Sequence, residues 1–243
     1  MKRFLSIFLC ALLIVCTSVS AAVPDDSALE LTKTLATVQN INFYTSEAVT
    51  RTDFADYIAN LMGAYSKGEN ANIEFLVQSG IMGTDISGGL RENEPLTYSD
   101  AIAALLNAAG YKDIAEMSGG YTKLAIKNKL VCGKSENDSL TWNELSVLIY
   151  NMLHMPALIV QYGDKTSYVQ SRDKTVMEDV FGLEKISGIL SGVGKINLYS
   201  TAKSGKNTVF VNGILYDNSY EYAAEYLGEN VTAFAKNEGG TKN

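Results

Sequence analysis

Thr50-Arg51-Thr52-Asp53-Phe54-Ala55-Asp56-Tyr57-Ile58-Ala59-Asn60-Leu61-Met62-Gly63 is the stretch on which the reading of this chain turns. Thr50 stands three residues before Asp53. Its hydroxyl can accept a hydrogen bond from an amide of the first helical turn, while the carboxylate reaches back to the amide of the threonine, a reciprocal capping box. Phe54, Tyr57, Ile58, Leu61 and Met62 follow at offsets four, seven, eight, eleven and twelve from the threonine, which is one face of a helix. Gly63 is a natural left-handed terminator.

The pattern recurs twice. Thr97-Tyr98-Ser99-Asp100 opens a second segment with Ala101, Ala104, Leu105, Ala108 and Ala109 at the same offsets and Gly110 as its stop. Thr141-Trp142-Asn143-Glu144 opens a third, carrying Leu145, Leu148, Ile149, Met152 and Leu153. The threonines are 47 and 44 residues apart, a period that suits units of two or more helices, none of which buries its own apolar face without neighbours. Shorter partner helices are predicted at 73–79 and 124–129, and residues 28–38 have the composition of a partner for the first copy. The three copies then span about 28–63, 64–110 and 111–156.

Ahead of the repeats, Met1, Lys2 and Arg3 precede an apolar run at 4–15 and small residues ending Val19-Ser20-Ala21-Ala22. That order reads as an export signal over residues 1–21 with cleavage after Ala21. Val15 before Cys16 is bulkier than a lipidation site normally takes. No segment approaches the ~18 consecutive apolar residues of a membrane span, so a secreted or surface-held chain is expected. Loss of the leader removes Lys2 and Arg3 and moves the formal charge from -7 to -9, leaving Cys132 as the remaining cysteine. One cysteine cannot form an internal bridge. Beside Leu130 and Val131 it reads as a small buried residue. Overall negative charge argues against a nucleic-acid partner.

After Pro156 the pattern changes. Residues 157–184 read as a linker with a short helix at 174–181, and 185–243 as a small β-rich module. Strands are predicted at 185–190, 194–200, 207–211, 214–216 and 231–235, with Asn212-Gly213 as a type I′ turn and a short helix at 220–227. Asn237-Glu238-Gly239-Gly240 looks like a turn with no strand after it, as if the module were truncated, which would leave 231–235 as an open edge. The fold class expected is α+β, an N-terminal all-α bundle of three helical repeats followed by that module.

Thr50-Arg51-Thr52-Asp53-Phe54-Ala55 resembles the Thr-Arg-Ala-Glu signature of S-layer homology domains. Gly80-Ile81-Met82-Gly83-Thr84-Asp85, running on through Gly88-Gly89-Leu90-Arg91-Glu92-Asn93-Glu94-Pro95-Leu96-Thr97, is similar to the family's loop. The resemblance covers about residues 28–156 and is to degenerate repeats of the kind found in clostridial-type bacteria. It implies a pseudo-threefold bundle of the three repeats, held at the cell wall or cell surface by non-covalent docking in the grooves between repeats onto a secondary cell-wall polysaccharide or another peptidoglycan-associated polymer. Arg51 matches the signature arginine, Asp53, Asp100 and Glu144 the signature acid, and Arg91 the loop arginine. Tyr98 and Trp142 replace the signature arginine in the second and third copies, Leu90 stands in place of an aromatic, and Glu92 replaces a proline.

Two readings of these positions stand open. In one, Arg51, Arg91, Tyr98 and Trp142 form a polymer site, with guanidinium groups for an acidic substituent and aromatic faces for sugar rings. In the other, the positions just past the caps are packing sites of a scaffold that contacts other envelope proteins. Thr50, Asp53, Thr97, Asp100, Thr141 and Glu144 are assigned to helix capping in both. A secreted cell-wall hydrolase with its catalytic domain outside this chain is the third possibility. Within the chain catalysis is not expected, since Glu69, Glu74, Glu92 and Glu94 form no recognisable pair and His154 is the sole histidine. No metal or cofactor is expected, because the acidic loop 85–100 lacks calcium-loop spacing.

Overall fold

The computed structural model describes residues 26–38, 47–64, 66–68, 70–162, 166–198, 205, 207–217 and 222–236. The expected leader at 1–21, Glu69 and the 237–240 turn lie outside the described residues. Helices α1 (Asp26–Val38), α2 (Arg51–Leu61), α3 (Ala71–Gln78), α4 (Tyr98–Ala108), α5 (Lys112–Met117), α6 (Tyr121–Lys127) and α7 (Trp142–Leu153) come first. Strands β1 (Pro156–Gln161) and β2 (Ser167–Thr175) form an antiparallel pair, followed by α8 (Val176–Asp179). Strands β3 (Leu183–Val193), β4 (Ile196–Asn197), β5 (Thr208–Val211), β6 (Ile214–Asp217) and β7 (Asn230–Lys236) make a curled sheet in which β3 is central.

The three capped helices α2, α4 and α7 start at the expected residues, and their expected apolar faces are interior except for partly buried Met62. The partner helices pack as α3 on α2, α6 on α4 and α1 on α7, so α1 closes the set by covering the last capped helix. At the centre, the residues just before the three threonines form a closed ring of backbone hydrogen bonds. The amide of Val49 donates to the carbonyl of Leu140 at 2.8 Å, that of Leu140 to Leu96 at 3.1 Å, and that of Leu96 to Val49 at 2.8 Å. All three side chains are buried. Short β-bridges surround the ring, Thr50 with Pro95, Thr97 with Ser139 and Ala48 with Thr141.

The segregated arrangement expected from the sequence, an all-α bundle and then a β module, is not what the chain forms. The fold is a mixed α/β one, and its helices run through the chain: among the described residues there are eight, with α8 between β2 and β3 and a 3-10 turn (Ala223–Tyr226) between β6 and β7. The physical reason is a shared core. Val176, Met177 and Phe181 around α8, Leu183 of β3 and partly buried Phe234 of β7 join the cluster that holds Leu105 and Leu148. A smaller cluster joins Leu190, Val209 and Val211 of the sheet to Ala223 of the 3-10 turn. The amine of Lys236, at the end of β7, donates to the carbonyls of Asn60 and Leu61 at the end of α2.

Within the predicted linker, most of 156–175 is hairpin. The Asn212-Gly213 turn has φ of 48° and 77° and joins β5 to β6 with Val211 opposite Ile214, as a type I′ turn requires. β7 is not open on both sides, since residues 230–236 pair with 183–189 of β3 throughout.

Candidate functional site at the repeat junctions

Each capped helix starts where the chain leaves the central ring, so the residue just past each threonine is carried into a neighbouring copy. Arg51 is 1% exposed. Its Nε donates to the carbonyl of Leu90 at 3.0 Å, one Nη to that of Gly83, and the other Nη pairs with Asp100 Oδ2 at 2.8 Å. All three nitrogens are therefore spent on the second copy's loop and helix. Burial pulls the guanidinium below its ordinary value, with Asp100 opposing that shift, and an arginine stays charged in either case.

The equivalent positions do the same with other chemistry. Tyr98 is 5% exposed, and its hydroxyl donates to the carbonyl of Leu130 in the third copy at 2.8 Å. Trp142 is 2% exposed and lies against Tyr57 of the first copy, with ring centroids 5.9 Å apart and a tilted geometry. The sequence of ties runs first copy to second, second to third, third to first. Of Arg51, Arg91, Tyr98 and Trp142, the four residues of the polymer-site reading, three are interior and reach into three different junctions.

Arg91 is the exception, 30% exposed. One Nη lies 3.3 Å from Asp100 Oδ2, the other 3.6 Å from Glu94. Two guanidinium groups thus share one carboxylate at the first junction, with Glu94 at its rim. Arg91 occupies the left-handed region, φ 55°, and its Nε is buried with no protein partner. The loop behind it is shaped by Asp85, which accepts from the Ser87 hydroxyl at 2.7 Å and from the amides of Ser87 and Gly89 at 2.8 and 2.6 Å. Those bonds, the Ser87 hydroxyl first, hold its carboxyl below the usual range.

The capping box is present in the first and third copies and only half formed in the second. Asp53 accepts from the amide and hydroxyl of Thr50 at 3.3 and 2.7 Å, while its own amide donates to the threonine oxygen. Glu144 accepts from the amide and hydroxyl of Thr141 at 2.8 and 2.9 Å and pairs with Lys134 at 2.9 Å. Thr97 caps the amide of Asp100 at 3.2 Å, but the Asp100 carboxylate turns away to the two arginines. The reciprocal half expected of Asp100 is therefore replaced by the inter-repeat ion pair.

Sequence reasoning missed several of these. The ring residues Val49, Leu96 and Leu140 carried a signal, an apolar residue before each capping threonine, the position that packs back on the helix in a hydrophobic staple. The fourth box, Thr175 with Glu178 at the start of α8, has the same Thr-x-x-acid spacing. Nothing local could have shown that Asp100 would abandon its cap.

Glu92 accepts from Asn70 and Glu94 pairs with Arg91, while Glu74 is exposed on α3. Among the described residues no three His, Cys, Asp or Glu side chains gather to hold a metal ion, and no helix is long and apolar enough to cross a membrane. Cys132 is buried and its thiol is pushed up to about 11, chiefly by burial. No family model matches the chain, and no curated protein matches it.

Proposed function

We propose that the chain is a non-catalytic cell-envelope module, organised at the wall through S-layer-homology-like repeats that act first as a rigid scaffold. Polymer contact falls to the exposed edge of the first junction at Arg91, not to the interior signature positions. The observation that carries this reading is the cyclic set of ties. A guanidinium with all its nitrogens bonded inside the protein cannot also grip an acidic sugar without breaking a buried ion pair. Arg91 keeps exposed surface and belongs to the loop whose sequence most resembles the family's.

A second reading, an assembly scaffold that meets other envelope proteins and no polymer, is favoured by the same burial of Arg51, Tyr98 and Trp142. Co-sedimentation with purified wall sacculi, with and without their secondary polymer, separates the two. The first reading expects binding that needs the polymer and falls several-fold in Arg91→Asn. Asparagine is chosen because it tolerates the left-handed backbone at that position. Equal sedimentation with stripped sacculi, or no sedimentation of the parent chain, would sink the polymer contact and leave the assembly reading.

A further inference from the structure

The C-terminal ends of α6 and α7 meet at a surface depression of about 370 Å3, lined by Lys127, Lys129, His154, Asn128 and Asn151 together with Met155. In a chain of formal charge -7 this patch holds two lysines and the sole histidine, and no carboxylate lines it. We propose that the depression is a binding site for an oxyanion, a carboxylate or phosphate group borne by a small or polymeric ligand. The proposal goes beyond the wall reading and stands or falls without it.

Cations at helix C-termini have an ordinary explanation, compensation of the partial negative charge on the last carbonyls. Here other groups do that work. The Asn128 side chain donates to Leu124, the Asn151 side chain to the carbonyl of Lys129, and His154 Nδ1 lies 2.8 Å from the carbonyl of Tyr150. Among the described residues the amines of Lys127 and Lys129 form no ion pair or hydrogen bond. His154 is exposed and stacks on Tyr150, ring centroids 4.1 Å apart, so its ring forms part of the wall of the depression. The chain also leaves α6 through Lys129 in the left-handed conformation, φ 62°, where glycine is the easy choice. A lysine at that price in backbone strain is placed for its amine. Two lysines without an ion pair, both lining one depression, suit an oxyanion.

The test is a two-dimensional amide NMR titration of the full chain with inorganic phosphate, with glucuronate, and with sodium chloride at matched ionic strength. The expected result is saturable shifts confined to the amides of 127–130 and 151–155. Response to phosphate alone or to glucuronate alone supports the site and assigns it to phosphate-bearing or carboxylate-bearing ligands. The double variant Lys127→Met, Lys129→Gly should weaken binding at least tenfold. Because glycine relieves the left-handed backbone, its melting temperature should be no lower than the parent's, so loss of binding cannot be loss of fold. Shifts scattered over other lysines, an equal response to chloride, or unchanged affinity in the double variant would overturn the proposal.

Discussion

Arg51 shows how a residue can be legible in its identity and not in its role. Its place in a family-like signature is read directly from the sequence, but whether a guanidinium faces solvent or a neighbouring copy depends on Gly83, Leu90 and Asp100, up to 49 residues away. Arg51→Ala strands the two loop carbonyls and half the pairing of Asp100. Breaking a buried pair costs ~3–5 kcal/mol, and the lower end applies because Asp100 keeps partial exposure and retains Arg91. Urea unfolding should therefore show a loss of about 3 kcal/mol, with Arg51→Lys recovering only part of it because an amine lacks the fork that spans both carbonyls. Cys132 gives a second outcome at this scale. With its thiol raised to about 11, little thiolate exists at neutral pH, and alkylation by iodoacetamide should run at least about tenfold slower in the native chain than in urea.

At the scale of elements, the capped helices were legible because their starts are fixed by local chemistry, a threonine and an acid three residues on. Their partners were visible as apolar runs, whereas α5 and the β1–β2 hairpin were not. Residues 161–175 are largely polar, and the hairpin becomes ordered through Tyr168, whose hydroxyl donates to Asp113, and through Ala157 in the interior. Those are tertiary facts. Replacing a capping threonine should cost about 1 kcal/mol in each copy, measured as Thr50→Ala and Thr141→Ala by denaturant titration. Glu144 adds a pH dependence. Burial would raise its carboxyl, but the bonds from Thr141 and Lys134 outweigh that and hold it below its ordinary 4.5. A depressed acid stabilises the fold above its unfolded value, and that stability is lost as pH falls through the folded value. Acid unfolding below about pH 4.5 should accordingly be shallower in Glu144→Gln than in the parent.

For the whole molecule, the repeat was legible and the segregation of helix from strand was not. Periodicity reports which face of an element is apolar; it does not say that Leu183 and Phe234, from strands predicted to form a separate module, complete the core beneath the helices. One core implies one transition. Truncating the chain before Asn230 removes the strand paired with residues 183–189 of β3, the Phe234 contact and the Lys236 cap on α2. Unfolding followed by fluorescence of Trp142, the single tryptophan, should then shift to lower temperature although that residue lies far along the chain from the cut. An unchanged midpoint would show that β7 is a bystander.

The central claim is that three copies lock one another through the ring of Val49, Leu96 and Leu140 and the ties of Arg51, Tyr98 and Trp142. Native-state hydrogen exchange at the three ring amides tests it most directly, since amides of one cooperative unit exchange only when that unit opens. The three should exchange with a single opening free energy equal to that of global unfolding, and in Arg51→Ala all three should fall together. If one ring amide exchanges through a separate, lower-energy opening, or if Arg51→Ala lowers protection at Val49 and Leu96 alone, the copies are not locked and the scaffold account is wrong.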